Sequence, residues 1–234
     1  MNPDQYLLGL LNAFAHRSLI FDTAIGFVES QAVFKGAVVT SLLWLAWFQR
    51  DPDQKLRRSL VISTLAATIA SLLLTKIIRF YLPFRLRPIH DPAVGFTLPY
   101  NVSTETLWNW GSFPSDTSAF EFALAVGVFM IWRRWGWLAI LYSLVVISIP
   151  RVYLGYHYPS DIVAGALIGA VVTLIMGREK IRIPLSRRLL LWSDEYPGAF
   201  YCAFFLFTYE VAAVFENTRQ VLTAAWKLSH HSVW

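Results

Sequence analysis

The sequence predicts an all-α fold: a polytopic membrane helix bundle of about six spans, preceded by an N-terminal interfacial helix. Three observations carry this reading. The chain is 56% hydrophobic and only 15% charged, whereas a soluble domain averages about 25% charged residues. Its mean hydropathy is +0.48, and its apolar residues gather into runs close to the roughly 20 needed to cross a bilayer. It also holds ten Trp and ten Tyr, rings that collect where membrane meets water.

The first segment, 1–30, alternates apolar residues with His16, Arg17 and Asp22. Tyr6, Leu7, Leu10, Leu11 and Phe14 recur at helical spacing, which fits an amphipathic helix lying in the interface. Candidate spans follow at 31–49, 58–75, 114–132, 135–150, 161–177 and 197–214. These define a membrane core over 31–177, a basic cytoplasmic loop over 178–195, and an additional span with a C-terminal tail over 196–234. The N-terminus carries Asp4 and lacks a basic region and a small-residue cleavage site, so no cleavable signal peptide is expected.

A single cysteine, Cys202, excludes an intrachain disulfide framework and a Cys-rich metal site. The net charge is +5. In a membrane protein such an excess sits mostly in loops that face anionic lipid, so it implies no nucleic-acid partner. The loop cations also set orientation. Arg50, Lys55, Arg57 and Arg58 join the first two spans, Arg133 and Arg134 separate the third from the fourth, and Arg178, Lys180, Arg182, Arg187 and Arg188 follow the fifth. These alternate correctly, so all three loops face the cytoplasm and 76–113 and 151–160 face the other side.

One outer segment breaks the positive-inside pattern. Residues 76–88 carry Lys76, Arg79, Arg85 and Arg87, which suits an anion site. The other outer loop runs from Arg151 through His157 to Asp161 and into an apolar helix, with Ser160 a good N-cap. Asp161, four residues after His157, could accept the Nδ1–H and leave Nε2 free to attack. Arg151 could hold phosphate oxygens in a fork. A third segment, Gly111 to Ser118, has a helix start at Pro114–Ser115, whose free N–H groups suit phosphate.

Together the three segments resemble the signature of the type-2 phosphatidic acid phosphatase family: Lys-x6-Arg-Pro, then Pro-Ser-Gly-His, then Ser-Arg-x5-His-x3-Asp. Here the third motif reads Arg151-x5-His157-x3-Asp161, with Pro150 in place of Ser. The first keeps Arg87-Pro88 but has Phe80 at the lysine position, so Arg79 or Lys76 must serve in a shifted register. The second keeps Pro114-Ser115 and then has Asp116 and Thr117. The resemblance implies a six-helix core, a phosphohistidine intermediate, no metal and no cofactor. It implies His157 as nucleophile, Asp161 as its partner, and Arg151, Arg87 and Arg79 or Lys76 as the phosphate clamp. Arg85, Ser115, Asp116 and Thr117 complete the expected substrate-binding set.

The family's second histidine protonates the leaving group, and Thr117 cannot do so. Either the leaving group needs no proton, as with a departing phosphate, or another acid substitutes (His90, Asp91, Glu105 or Asp116), or the protein is a weak enzyme or a lipid-binding relic. The expected function is hydrolysis of a lipid pyrophosphate or phosphate, undecaprenyl pyrophosphate favoured. The alternatives are phosphotransfer through the same histidine and a non-catalytic lipid-phosphate binding subunit. The expected partners are a lipid phosphate and the membrane. The expected location is the bacterial inner membrane, with the active site on the extracytoplasmic side.

Overall fold

The computed structural model describes residues 2–108 and 110–215. Among these residues the chain is all-helical. Helix α1 spans Pro3–Asn12 and α2 spans Leu19–Ser30. A π-helical turn, Val33–Ala37, leads into α3, Val38–Phe48. Helix α4 is Gln54–Tyr81. A long loop with one 3-10 turn at Pro88–His90 leads to α5, Asp116–Ile131. Helix α6, Arg133–Tyr142, continues through a π-helical stretch, Ser143–Ser148, into α7, Ile149–Tyr153. Then come α8, Pro159–Met176, α9, Glu179–Glu195, and α10, Pro197–Ala212.

Each of the six apolar stretches forms helix, but not all reach spanning length. Three unbroken helices do: α4, the composite Arg133–Tyr153, and α8. A fourth crossing is available if α2 and the segment Val33–Phe48, bent by 63°, count as one span. Helices α5 and α10 have 16 residues each, short of the roughly 20 for a full crossing. Two sequence boundaries move. Helix α4 runs on to Tyr81, so Lys76 and Arg79 stand on its last turns rather than in a loop. Residues 178–195, expected as a loop, form α9. The tail beyond 215 lies outside the described residues.

Helix α5 is the centre of the bundle, with Ala119, Phe120, Ala123, Leu124 and Ala125 fully buried. Helix α8 lies directly on its backbone because Gly165 and Gly169 have no side chain to hold it off. A Cβ on Gly165 would stand 2.2 Å from the Ser115 carbonyl oxygen, and one on Gly169 2.2 Å from that of Ala119. One turn further on, Thr173 donates its hydroxyl to the Ala123 carbonyl at 3.2 Å. Small residues four apart allow helix backbones to close in apolar surroundings, where packing replaces the hydrophobic drive. The contact brings the Ser115 N–H within 3.1 Å of the Asp161 carbonyl, so the starts of α5 and α8 are locked together.

Aromatic residues attach α10 to α3. The Trp47 indole donates to the Tyr201 hydroxyl and the Trp44 indole to Thr208, each at 3.0 Å. Trp47 is fully buried among Phe200 and Phe204. Part of the aromatic excess read as interfacial is therefore core, whereas Trp108, Trp110, Trp135 and Trp137 are exposed.

The N-terminal segment is two helices clamped onto the loop that follows α4 and onto α7. Asp22, which looked like an interruption of an amphipathic stretch, is fully buried. Its carboxylate accepts from the His16 and Tyr100 N–H groups at 2.9 and 2.8 Å and from the Tyr153 hydroxyl. Asn12 pairs with the Thr97 backbone in both directions, at 2.7 and 2.8 Å. These bonds tie the loop after α4 to the helix that carries Arg151.

The α5–α8 contact yields a test. Gly165→Ala should lower stability by about 1–3 kcal/mol through overpacking, seen as a lower melting midpoint of purified protein in detergent. Gly198→Ala is the control, because a Cβ there meets nothing within 4 Å and alanine is the better helix former. Equal midpoints for the two variants would remove the close approach as a determinant of the fold.

Candidate active site

Four chain segments converge at one end of the bundle: the end of α4, the loop 82–115, the start of α5, and the turn between α7 and α8. That turn reverses at Gly155, whose φ of +74 lies in the left-handed region that glycine enters freely. The reversal returns the chain onto Arg151, whose carbonyl accepts from the Tyr156 and His157 N–H groups at 2.9 and 3.3 Å. Backbone geometry thus places the Arg151 and His157 side chains face to face.

His157 is fully buried. Its Nδ1 lies 2.9 Å from the Ser112 carbonyl oxygen, and its Nε2 lies 3.3 Å from Arg151 Nη2 and 3.4 Å from Arg87 Nη1. A carbonyl only accepts and a guanidinium only donates. The proton therefore sits on Nδ1, and the Nε2 lone pair faces the two arginines. The expected Nδ1–H bond to Asp161 is corrected here: its nearer carboxylate oxygen is 3.6 Å away, and the Ser112 carbonyl takes the proton. Burial, with Arg151 and Arg87 adding to it, holds the imidazole pKa well below the ordinary histidine value.

Arg87 is held by main-chain carbonyls. It donates to those of Trp110 at 2.9 Å, Tyr156 at 2.5 Å and Gly111 at 3.2 Å. These fix the guanidinium while leaving its charge uncancelled. Burial and then the neighbouring Arg151 bring its pKa from 12.5 to about 10, so it stays cationic at neutral pH. Arg79 donates to the Pro114 carbonyl at 2.8 Å and stands 3.7 Å from Asp116.

Arg79, Arg87 and Arg151 open onto a cavity of about 560 Å³, within the usual range of ligand pockets; His157, fully buried, stands behind the two arginines at its Nε2 and does not itself line that cavity. Its polar lining carries Lys35, Lys76, Arg79, Arg87 and Arg151, five cations, against the carboxylates of Glu29 and Asp116. Thr117 lines it as well. Its apolar lining comes from Ile69, Leu72 and Leu73 of α4 and Ala213, Val214 and Phe215 after α10.

Two residues expected in the substrate site lie elsewhere. Arg85 is used as a tie, donating to Asp161 at 2.6 Å, Ser160 at 2.9 Å and Asp4 at 2.8 Å. Its guanidinium also covers the Tyr158 ring at 4.2 Å. Ser115 is fully buried, and its hydroxyl accepts from the Ser118 N–H at 3.3 Å as the N-cap of α5. Asp161, also fully buried, accepts from the Tyr158 N–H at 2.8 Å. It caps α8, which starts one residue before the Ser160 cap expected from sequence. Among the acids considered as substitutes for the missing histidine, Asp116 lines the main cavity. His90 and Asp91 line a separate shallow depression.

Sequence reading missed Glu29, Lys35 and Glu121. Glu29 accepts from Arg151 at 2.6 Å and pairs with Lys35 at 3.3 Å. Both stand at the edges of apolar runs, where charge is ordinary. Glu121 is fully buried one turn after Thr117, and neither of its oxygens has a hydrogen-bond partner. A carboxyl inside an apolar run is the signal that would have found it.

The family follows from these residues. The chain belongs to the PAP2 superfamily, whose family model matches residues 58–178, more than half of its length. It is an integral membrane phosphatase of the lipid phosphatase type. Among particular relatives, it is 21% identical to undecaprenyl-diphosphatase BcrC of Bacillus subtilis, over 72% of this chain and 79% of that one. It is 29% identical to the putative undecaprenyl-diphosphatase YbjG of Escherichia coli, over 73% of this chain and 79% of that one. A shorter match, 40% identical, covers 36% of this chain and 38% of the lipid A 4'-phosphatase of Bacteroides thetaiotaomicron. Among solved structures, Aquifex aeolicus LpxE aligns with a TM-score of 0.49 at 24% identity, over 73% of this chain and 92% of that one.

The electrostatics of His157 can be read directly. A 13C-imidazole titration of purified protein should show it neutral through pH 6.5, the ordinary histidine midpoint. Arg87→Met should raise its midpoint, because one repelling cation is gone. A native midpoint at or above about 6.5 would contradict the described environment.

Proposed function

We propose that this protein hydrolyses a lipid diphosphate, with undecaprenyl diphosphate the favoured substrate, through a phosphohistidine at His157. The observation that carries the reading is a neutral Nε2 flanked by Arg151 and Arg87 at 3.3 and 3.4 Å. Both arginines line a cavity that carries both cationic and apolar side chains. The names of the two long relatives, both diphosphatases, point the same way.

The chemistry runs in two steps. Nε2 attacks the terminal phosphorus, the N–P bond forms, and the bond to the bridging oxygen breaks. The lipid monophosphate departs with that oxygen. Arg87 and Arg151, with Arg79 and Lys76 on α4, stabilise the charge that spreads over the equatorial oxygens. Water then attacks the phosphohistidine and releases inorganic phosphate, and Nε2 regains its lone pair. The Ser112 carbonyl holds Nδ1–H throughout and stabilises the imidazolium-like charge of the intermediate. Asp116, on the cavity wall, is the carboxyl placed to take the water's proton.

Thr117 is the specificity mark in this reading. A departing phosphate is far less basic than an alkoxide, so it loses little of the about 10²–10⁴-fold that a general acid contributes. The native protein should therefore prefer lipid diphosphate to the monophosphate of the same lipid. Thr117→His should raise monophosphate hydrolysis more than diphosphate hydrolysis. His157→Gln should cut both by at least about a thousandfold while the protein still inserts and melts normally. A native preference for monophosphate would reject the leaving-group argument, and near-normal turnover by His157→Gln would reject the nucleophile.

The proposal extends to topology. The ends of α4 and α7 and the starts of α5 and α8 carry the site. The basic segments 50–58, 133–134 and 178–188 stand at the opposite ends of these helices. By the positive-inside rule the site faces the extracytoplasmic side of the bacterial inner membrane, with 1–30 lying in the interface. In a Cys202→Ser background, an impermeant thiol reagent on intact cells should label a cysteine at position 90 and not one at 183. Labelling at 183 alone would invert this orientation.

A further inference from the structure

The cavity holds more positive charge than a single phosphoryl group requires, and part of it is turned away from the imidazole. Around His157 lie Arg87 and one arm of Arg151. The other arm, Nη1, points away from the imidazole and donates to Glu29 Oε1 at 2.6 Å. The same oxygen lies 3.3 Å from Lys35 Nζ. All three residues line the cavity. They come from separate elements: Glu29 from the end of α2, Lys35 from the π-helical turn before α3, and Arg151 from α7.

One carboxylate oxygen shared by a guanidinium and an ammonium has the same acceptor chemistry as a phosphate oxygen. Arg151 therefore bridges two anion positions. Nη2 serves the phosphoryl group at Nε2, and Nη1 serves whatever stands beside Lys35. A phosphate monoester fills the first alone. A diphosphate carries a second anionic group, one bridging oxygen away.

We propose that Arg151 Nη1 and Lys35 form a second anion subsite, which the leaving phosphate of a diphosphate takes by displacing the Glu29 carboxylate. This rests on the diphosphate reading above and names the residues that set its selectivity. Glu29 then acts as a built-in competitor. It keeps Arg151 and Lys35 paired until a ligand with a second phosphate replaces it, and a lipid monophosphate gains nothing at this position.

The subsite makes two variants move in opposite directions. Glu29→Gln keeps the size and removes the competing charge. Lys35→Met keeps the length and removes a cation. Binding of inorganic pyrophosphate and of inorganic phosphate is measured by calorimetry on the whole purified protein in detergent, without turnover. Pyrophosphate should bind about tenfold tighter to Glu29→Gln and about tenfold weaker to Lys35→Met, the scale of one charge-assisted contact. Phosphate should shift less in both. The ratio of kcat/KM for lipid diphosphate over monophosphate should rise in the first variant and fall in the second. If Glu29 only positions Arg151, Glu29→Gln will bind pyrophosphate equally or more weakly, and the proposal is overturned. Weaker binding by both variants overturns it too, as the mark of a disturbed fold. If the native protein prefers monophosphate while the two variants still diverge on pyrophosphate, the substrate reading fails and the subsite stands. If the native protein prefers diphosphate and neither variant shifts pyrophosphate, the subsite alone fails.

Discussion

The constraint on which the rest of the site depends is positive charge gathered around a neutral imidazole, with one arginine held by carbonyls alone and the other paired to a carboxylate only on its far arm. Arg87 and Arg151 both stand within 3.4 Å of His157 Nε2. Two unit charges about 4 Å apart repel by about 4 kcal/mol at the effective dielectric of a protein surface, so the arrangement does not form by itself. Main-chain carbonyls of Trp110, Tyr156 and Gly111 hold Arg87, and Glu29 holds the far arm of Arg151. Carbonyl dipoles satisfy donors and leave net charge in place. That charge adds to burial in keeping the imidazole unprotonated, and in the proposed mechanism it meets the equatorial oxygens of a phosphoryl group.

The surrounding fold makes this geometry cheap to maintain. Glycines on α8 let it rest on the backbone of α5, which fixes the Asp161 carbonyl against the Ser115 N–H. Arg85 then links Asp161 to Asp4 at the chain's start. The network at Asp22 joins α2 to the loop after α4 and to Tyr153 on α7. Asp161 and Arg85 thus act behind His157: they set the start of α8, and with it the turn that carries the imidazole. A carboxylate four residues after a histidine reads as its proton partner in sequence, yet here it is spent on a helix cap, and the loop before α5 supplies the acceptor.

Much of this was legible. Apolar runs gave the helices, because bilayer crossing demands long unbroken stretches. The fixed spacing of Arg151, His157 and Asp161 pointed to the turn where Arg151 and His157 meet. What stayed hidden depends on distance in space. Carbonyl acceptors such as that of Ser112 leave no residue signature. Arg85 looked like Arg87 in sequence, and only their partners separate them: carboxylates hold the first, main-chain carbonyls the second. Glu29 and Lys35 stood at helix ends, where charges usually meet water. The Trp count suggested an interfacial belt, but Trp47 packs inside because its indole finds the Tyr201 hydroxyl there.

The central claim is that Nε2 of His157 becomes covalently bonded to phosphorus during turnover. Rapid acid-free quenching of the native protein with terminally labelled lipid diphosphate, followed by mass spectrometry of the peptide spanning Arg151–Asp161, tests this most directly. The account predicts a phosphate on His157 that survives base and is lost in acid, the behaviour of a phosphoramidate. Label found on a carboxylate or hydroxyl, or turnover with no phosphorylated histidine at any quench time, would contradict it.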